Sequence, residues 1–111
     1  MKICIIGDGV HSKRIQKILK KKKYIFDIFK PISKKLYRNE NIDNLKFYDI
    51  IFIVSPDFTH TFYIKKLHKY CYIFCEKPPC NKKNDLKFLK NINSKKSIII
   101  LILDFRKYQK Y

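Results

Sequence analysis

The chain has two glycines, Gly7 and Gly9, and both directly follow the apolar run Ile3-Cys4-Ile5-Ile6. A segment with helical spacing starts after Gly9. A buried strand, a glycine turn and a helix, in that order, form a main-chain cradle for phosphate. Gly7 permits the tight turn, and Gly9 lets a pyrophosphate approach the backbone with no Cβ in the way. The free N–H groups that open the helix then face the anion. Three further features follow apolar runs in the same manner. They are Lys30, the segment Val54-Ser55-Pro56-Asp57-Phe58-Thr59-His60, and the segment Cys75-Glu76-Lys77-Pro78-Pro79.

The elements that must position these residues can be read from periodicity. Lys2 to Ile6 is a strand, apolar on both faces as a central parallel strand is. A helix runs from about Val10 to Lys22, with Ile15, Ile18 and Leu19 as its apolar stripe and lysines on its wet face. Tyr24 to Phe29 is a second strand, closed by Lys30-Pro31. Between Ile32 and Phe47 the pattern is weaker, with loop from Asn39 to Asn44 and a helical turn before Phe47. Asp49 to Val54 is the next strand, and a helix from about Phe58 to Tyr70 follows it. Tyr63, Leu67 and Tyr70 share a face of that helix, and Asp57 or Thr59 can cap its start. Cys71 to Cys75 is a strand, Lys82 to Ile92 a helix capped by Asn81, and Ile98 to Phe105 a final strand. Strands alternating with helices of this length predict a single α/β domain of Rossmann-like form. Its sheet is doubly wound and mostly parallel, with helices on both faces.

A length of 111 residues suits one domain with a core. The apolar runs are short, where a membrane span needs roughly twenty residues. Lys2 is the only positive residue before the first apolar run, which ends after four residues, unlike a signal peptide, so the expected location is the cytoplasm. The formal net charge of +17 suggests a polyanionic partner. The lysines, however, are spread along the chain, and the only arginines are Arg14, Arg38 and Arg106. A nucleic-acid site draws on arginine forks in a clustered stripe. With alanine absent and isoleucine and asparagine abundant, the charge reads as biased composition. Cys4, Cys71, Cys75 and Cys80 lack the paired CxxC turns of a zinc site, so no metal is expected and reduced thiols are.

Taken together, the sequence resembles the Gfo/Idh/MocA family of NAD(P)-dependent oxidoreductases. The matching pieces are Ile5-Ile6-Gly7-Asp8-Gly9, Asp49 to Pro56 leading to His60, Glu76-Lys77-Pro78, and Leu103-Asp104-Phe105-Arg106-Lys107-Tyr108. The resemblance implies that Gly7 and Gly9 form the pyrophosphate turn, with Val10, His11 and Ser12 at the helix start. It places Ser55 and Pro56 beside the cofactor, and Glu76 and Lys77 near the nicotinamide. Lys77 is the implied catalytic residue, since an ammonium can steady a developing alkoxide. Pro78 makes the bend that aims it, and Arg106 marks the exit from the nucleotide domain. His60 either lines the cleft or packs the helix start.

Three departures from the family pattern qualify these expectations. Ser12 fills the third small position of the glycine motif, where a serine still allows close helix–strand packing. The acid expected at the end of the second strand is missing, because Asp27 comes too early. Lys30 stands in its place, which tips the expected cofactor from NAD toward NADP unless Lys30 is only a solvated lysine. The chain also ends where the family's substrate domain would begin. The expectation is therefore a nucleotide-binding domain of a truncated or split oxidoreductase for a sugar or similar hydroxyl compound. A non-catalytic or regulatory subunit paired with a separately encoded substrate domain, or an inactive fragment, are the alternatives.

Overall fold

Four short runs rich in β-branched and aromatic residues form the strands that carry the site. A computed structural model of the chain describes residues 1–30, 42–56, 59–76, 87–88 and 98–99. The strands are β1 (Ile3–Ile6), β2 (Phe26–Phe29), β3 (Ile50–Ile53), β4 (Tyr72–Cys75) and β5 (Ile98–Ile99). They form one sheet in the order β2-β1-β3-β4-β5, and every pairing is parallel. The helices are α1 (Val10–Lys21) and α2 (His60–Leu67), with a 3-10 helix at Asp43–Phe47.

Because successive strand residues point to opposite faces, β1 feeds two cores. Ile3 and Ile5 pack with Ile15 and Leu19 of α1, and with Val54. Cys4 and Ile6 pack with Ile51 and Ile53 of β3 and with Tyr63, Ile64 and Leu67 of α2. Leu45 of the 3-10 helix joins that second core. Helices therefore cover both faces, and the sheet is doubly wound as the alternation of elements predicts. The expected helix from Lys82 to Ile92 is represented by Lys87 and Phe88, both helical. The rest of that span, Asn81 and the last strand beyond Ile99 lie outside the described residues, as does 31–41.

Several expectations are corrected. Ile18 is exposed, and buried Ser12 shares the inner face of α1 with Ile15 and Leu19. Tyr24 and Ile25 lie outside β2 and are exposed. Tyr70 falls in a turn beyond α2 and is exposed, because the helix ends at Leu67. Thr59 sits at the α2 cap position, but its side chain makes no cap bond. Lys23 has φ 64, a left-handed residue that ends α1. Its N–H donates to the Lys20 carbonyl, and the Tyr24 N–H donates to the Leu19 carbonyl. This is a Schellman ending built without the usual glycine.

Candidate functional site

The backbone ladder continues one residue past each strand and aligns the site along one edge. The Gly7 N–H donates to the Phe29 carbonyl at 2.9 Å, the Val54 N–H to Ile6 at 3.0 Å, and the Glu76 N–H to Ile53 at 3.0 Å. The chain leaves β1 toward β2 on one side and returns to β3 on the other. The crevice between the carboxyl ends of β1 and β3 is thus the topological switch point, where open α/β sheets bind ligands.

The two glycines do different work there. Gly7 has φ +118, and a Cβ on it would lie 2.9 Å from the Val54 carbonyl oxygen and 3.0 Å from the Ser55 nitrogen. Its absent side chain lets the β1 turn press against the end of β3. A Cβ on Gly9 would meet nothing within 4 Å. Gly9 is also the residue before α1, whose first turn has no side-chain cap and no acidic residue. The opening N–H groups are thus left without a side-chain cap from the helix itself. Room and donors both fit a pyrophosphate.

Around this cradle the polar side chains pair off. His11, in the first turn of α1, lies with Nε2 3.0 Å from Oε1 of Glu76. A carboxylate only accepts, so Nε2 carries the hydrogen. Lys30 Nζ lies 2.8 Å from Asp8 Oδ2. The hydrogen bond from Lys30 holds the Asp8 carboxyl below its ordinary value, and Lys13 adds to the effect. The expected tilt toward NADP rested on the Lys30 cation, which here pairs with Asp8. Asp27 lies within β2, as the sequence predicts, and accepts from the Tyr48 hydroxyl.

The loop after β3 turns its side chains inward. Thr59 donates its one hydroxyl hydrogen to the Pro56 carbonyl at 2.6 Å, so Ser55 must be the donor in the 2.6 Å contact between Ser55 and Thr59. His60 is fully buried, with Nε2 2.8 Å from the Ser55 carbonyl. Of the two roles expected of His60, lining the cleft or packing the helix start, this position is the packing one. The ring sits behind the loop and fixes the position of Ser55. The Ser55 side chain is likewise buried, and Pro56 is the exposed residue of the pair. Ser12 is buried too, its hydroxyl accepting from the Gln16 amide, which agrees with a packing role under the helix start. Val10 is exposed beside the cradle. Lys77, Pro78 and Arg106 lie outside the described residues.

Sequence reasoning did not single out Asp8 as a site residue or pair His11 with Glu76. Asp8 could have been flagged as a charge held between two glycines, opposite a strand-end lysine. Among the described residues, no group of His, Cys, Asp and Glu side chains could hold a metal ion, and no helix is long and apolar enough to cross a membrane. A groove of about 520 Å³ opens at the opposite, amino edge, bordered by Met1, Ile25, Phe47 and Tyr48. It lies away from every strand carboxyl end.

Sheet order, helix placement and the glycine turn define a Rossmann-like α/β fold. Solved structures share it across almost the whole chain. UDP-N-acetylglucosamine 3-dehydrogenase GnnA from Acidithiobacillus ferrooxidans matches with a TM-score of 0.69 at 16% identity, covering 93% of this chain and 38% of that one. The WlbA (WbpB) dehydrogenase from Thermus thermophilus, solved with NAD and alpha-ketoglutarate, matches with a TM-score of 0.65 at 14% identity, covering 93% and 41%. The WlbA dehydrogenase from Bordetella pertussis, solved with NADH and UDP-GlcNAcA, gives 0.63 at 13% identity, covering 93% and 36%. The chain thus spans about two-fifths or less of the length of these proteins. No family model matches the chain, and no curated protein matches it.

Proposed function

We propose that the chain binds a nicotinamide dinucleotide, NAD or NADP, at the carboxyl edge of its sheet. In this reading it is the nucleotide-binding domain of a Gfo/Idh/MocA-type oxidoreductase acting on a sugar or similar hydroxyl compound. The observation that carries the reading is the open space at Gly9 before an uncapped α1, set at the β1/β3 switch point. Support comes from the fold shared with dehydrogenases solved with NAD or NADH, and from the motif Glu76-Lys77-Pro78 after β4.

When bound, the dinucleotide supplies hydride transfer. The chain's own residues hold and orient it. The backbone of Gly7 and Gly9 and the N–H groups of Val10, His11 and Ser12 hold the pyrophosphate. Pro56, backed by the Ser55, Thr59 and His60 hydrogen bonds, forms one wall. Glu76 orients His11 at the other side. Lys77 follows Glu76 and is assigned a hydrogen bond to the substrate oxygen, which favours the alkoxide-like transition state. Arg106 is assigned to the exit from the domain.

The test is an amide NMR titration with NADH. The reading predicts saturable shifts of the Gly9, Val10, His11 and Ser12 amides. Shifts confined to residues of the amino-edge groove, or none at all, would overturn it.

A further inference from the structure

We propose that Asp8 selects the cofactor: its carboxylate, steadied by Lys30, accepts the adenosine ribose hydroxyls and opposes a 2′-phosphate, so the chain prefers NAD(H) to NADP(H). The inference rests on the dinucleotide reading above and adds a specificity residue to it.

Folds of this topology place the acid that accepts the ribose hydroxyls at the end of β2. Here β2 carries Asp27, which faces Tyr48 instead, and Lys30 follows the strand. The acid at that corner comes from the glycine turn. The Gly7 N–H bond to Phe29 draws the turn against the end of β2, and Asp8 Oδ2 then lies 2.8 Å from Lys30 Nζ. The Asp8 side chain keeps 32% of its surface exposed, so a ligand can reach it.

Charge decides between the cofactors. A ribose diol donates hydrogen bonds to Asp8 and leaves the Lys30 pair intact. A 2′-phosphate must take Lys30 from Asp8 and then sit beside an ionised carboxylate, a like-charge contact. Lys13 contributes positive charge nearby and offsets part of that repulsion.

The experiment compares NADH and NADPH affinities by nicotinamide fluorescence in the full chain, Asp8→Asn, Asp8→Ser and Lys30→Ala. Thermal unfolding of each variant confirms folding. The unmodified chain is expected to favour NADH. Asp8→Asn and Asp8→Ser should each shift the NADH-to-NADPH affinity ratio by about tenfold toward NADPH. Lys30→Ala should weaken NADPH and not reverse the preference. Saturable binding of both cofactors with a ratio unmoved by either Asp8 variant would overturn this inference and leave the dinucleotide reading standing. Loss of all binding in the unmodified chain would overturn both.

Discussion

His11 Nε2 meets Glu76 Oε1 at 3.0 Å, tying the first turn of α1 to the end of β4 across the end of β3. The contact holds an imidazole N–H donor beside the cradle. The His11 side chain is 43% exposed and the Glu76 side chain 14%, so solvent screens the pair in part and it adds about 1 kcal/mol to folding. His11→Ala is therefore expected to leave the urea midpoint nearly unchanged while weakening NADH binding by about three- to tenfold. A large loss of stability with unaltered affinity would assign the pair to folding alone.

Gly7 should be far less tolerant of a methyl group than Gly9. Alanine at Gly7 combines a left-handed φ with a Cβ 2.9 Å from a carbonyl oxygen, and the neighbour is backbone. Gly7→Ala is expected to destabilise by more than about 2 kcal/mol, measured by urea unfolding. Gly9→Ala, which meets nothing within 4 Å, should stay within about 1 kcal/mol of the parent chain.

Lys23 ends α1 in a left-handed conformation that glycine adopts without steric cost. Lys23→Gly should stabilise the chain by about 0.5–1 kcal/mol, as the relieved strain exceeds the added unfolded-state entropy. A fall in the urea midpoint would mean that the Lys23 side chain holds the turn by other means.

The buried thiols give a pH signature. Burial pushes Cys4 up to about 12, with the Asp27 charge adding to it, and burial pushes Cys71 up to about 11. The unfolded thiols release protons near their ordinary 9.0, before the folded ones do. Their contribution to stability is complete below pH 9 and is lost as pH rises toward 11 and 12. Native Cys4 and Cys71 should resist iodoacetamide at pH 8 and react once urea is added. Cys71→Ala should also flatten the decline in stability above pH 9. Rapid native alkylation of either thiol would contradict its burial.

The parts of this arrangement that repeat in the chain could be read before folding. Isoleucine-rich runs, the glycine break and the Pro56 and Pro78 stops identify strands and the edge on which chemistry collects. The alternation Ile3, Cys4, Ile5, Ile6 even separates the two cores. Spacing does not say which way a side chain turns once the loop is closed. His60 could be read as a cleft residue or as packing of the helix start, and only the closed loop shows its ring turned inward to the Ser55 carbonyl. Lys30 stood where an acid was expected, and the acid that pairs with it lies in the turn after a different strand, joined by β1–β2 register. Ser12 completes the buried face of α1 with Ile15 and Leu19, while Ile18 turns to solvent.

The central claim, a dinucleotide held on the Gly7–Gly9 turn, is tested most directly by titrating NADH into the parent chain and Gly9→Val side by side. Nicotinamide fluorescence reports binding, and thermal unfolding reports integrity. The parent should bind saturably, and Gly9→Val at least about tenfold more weakly at a nearly equal melting temperature. Equal binding to both proteins, or no saturable binding to the parent, would contradict it.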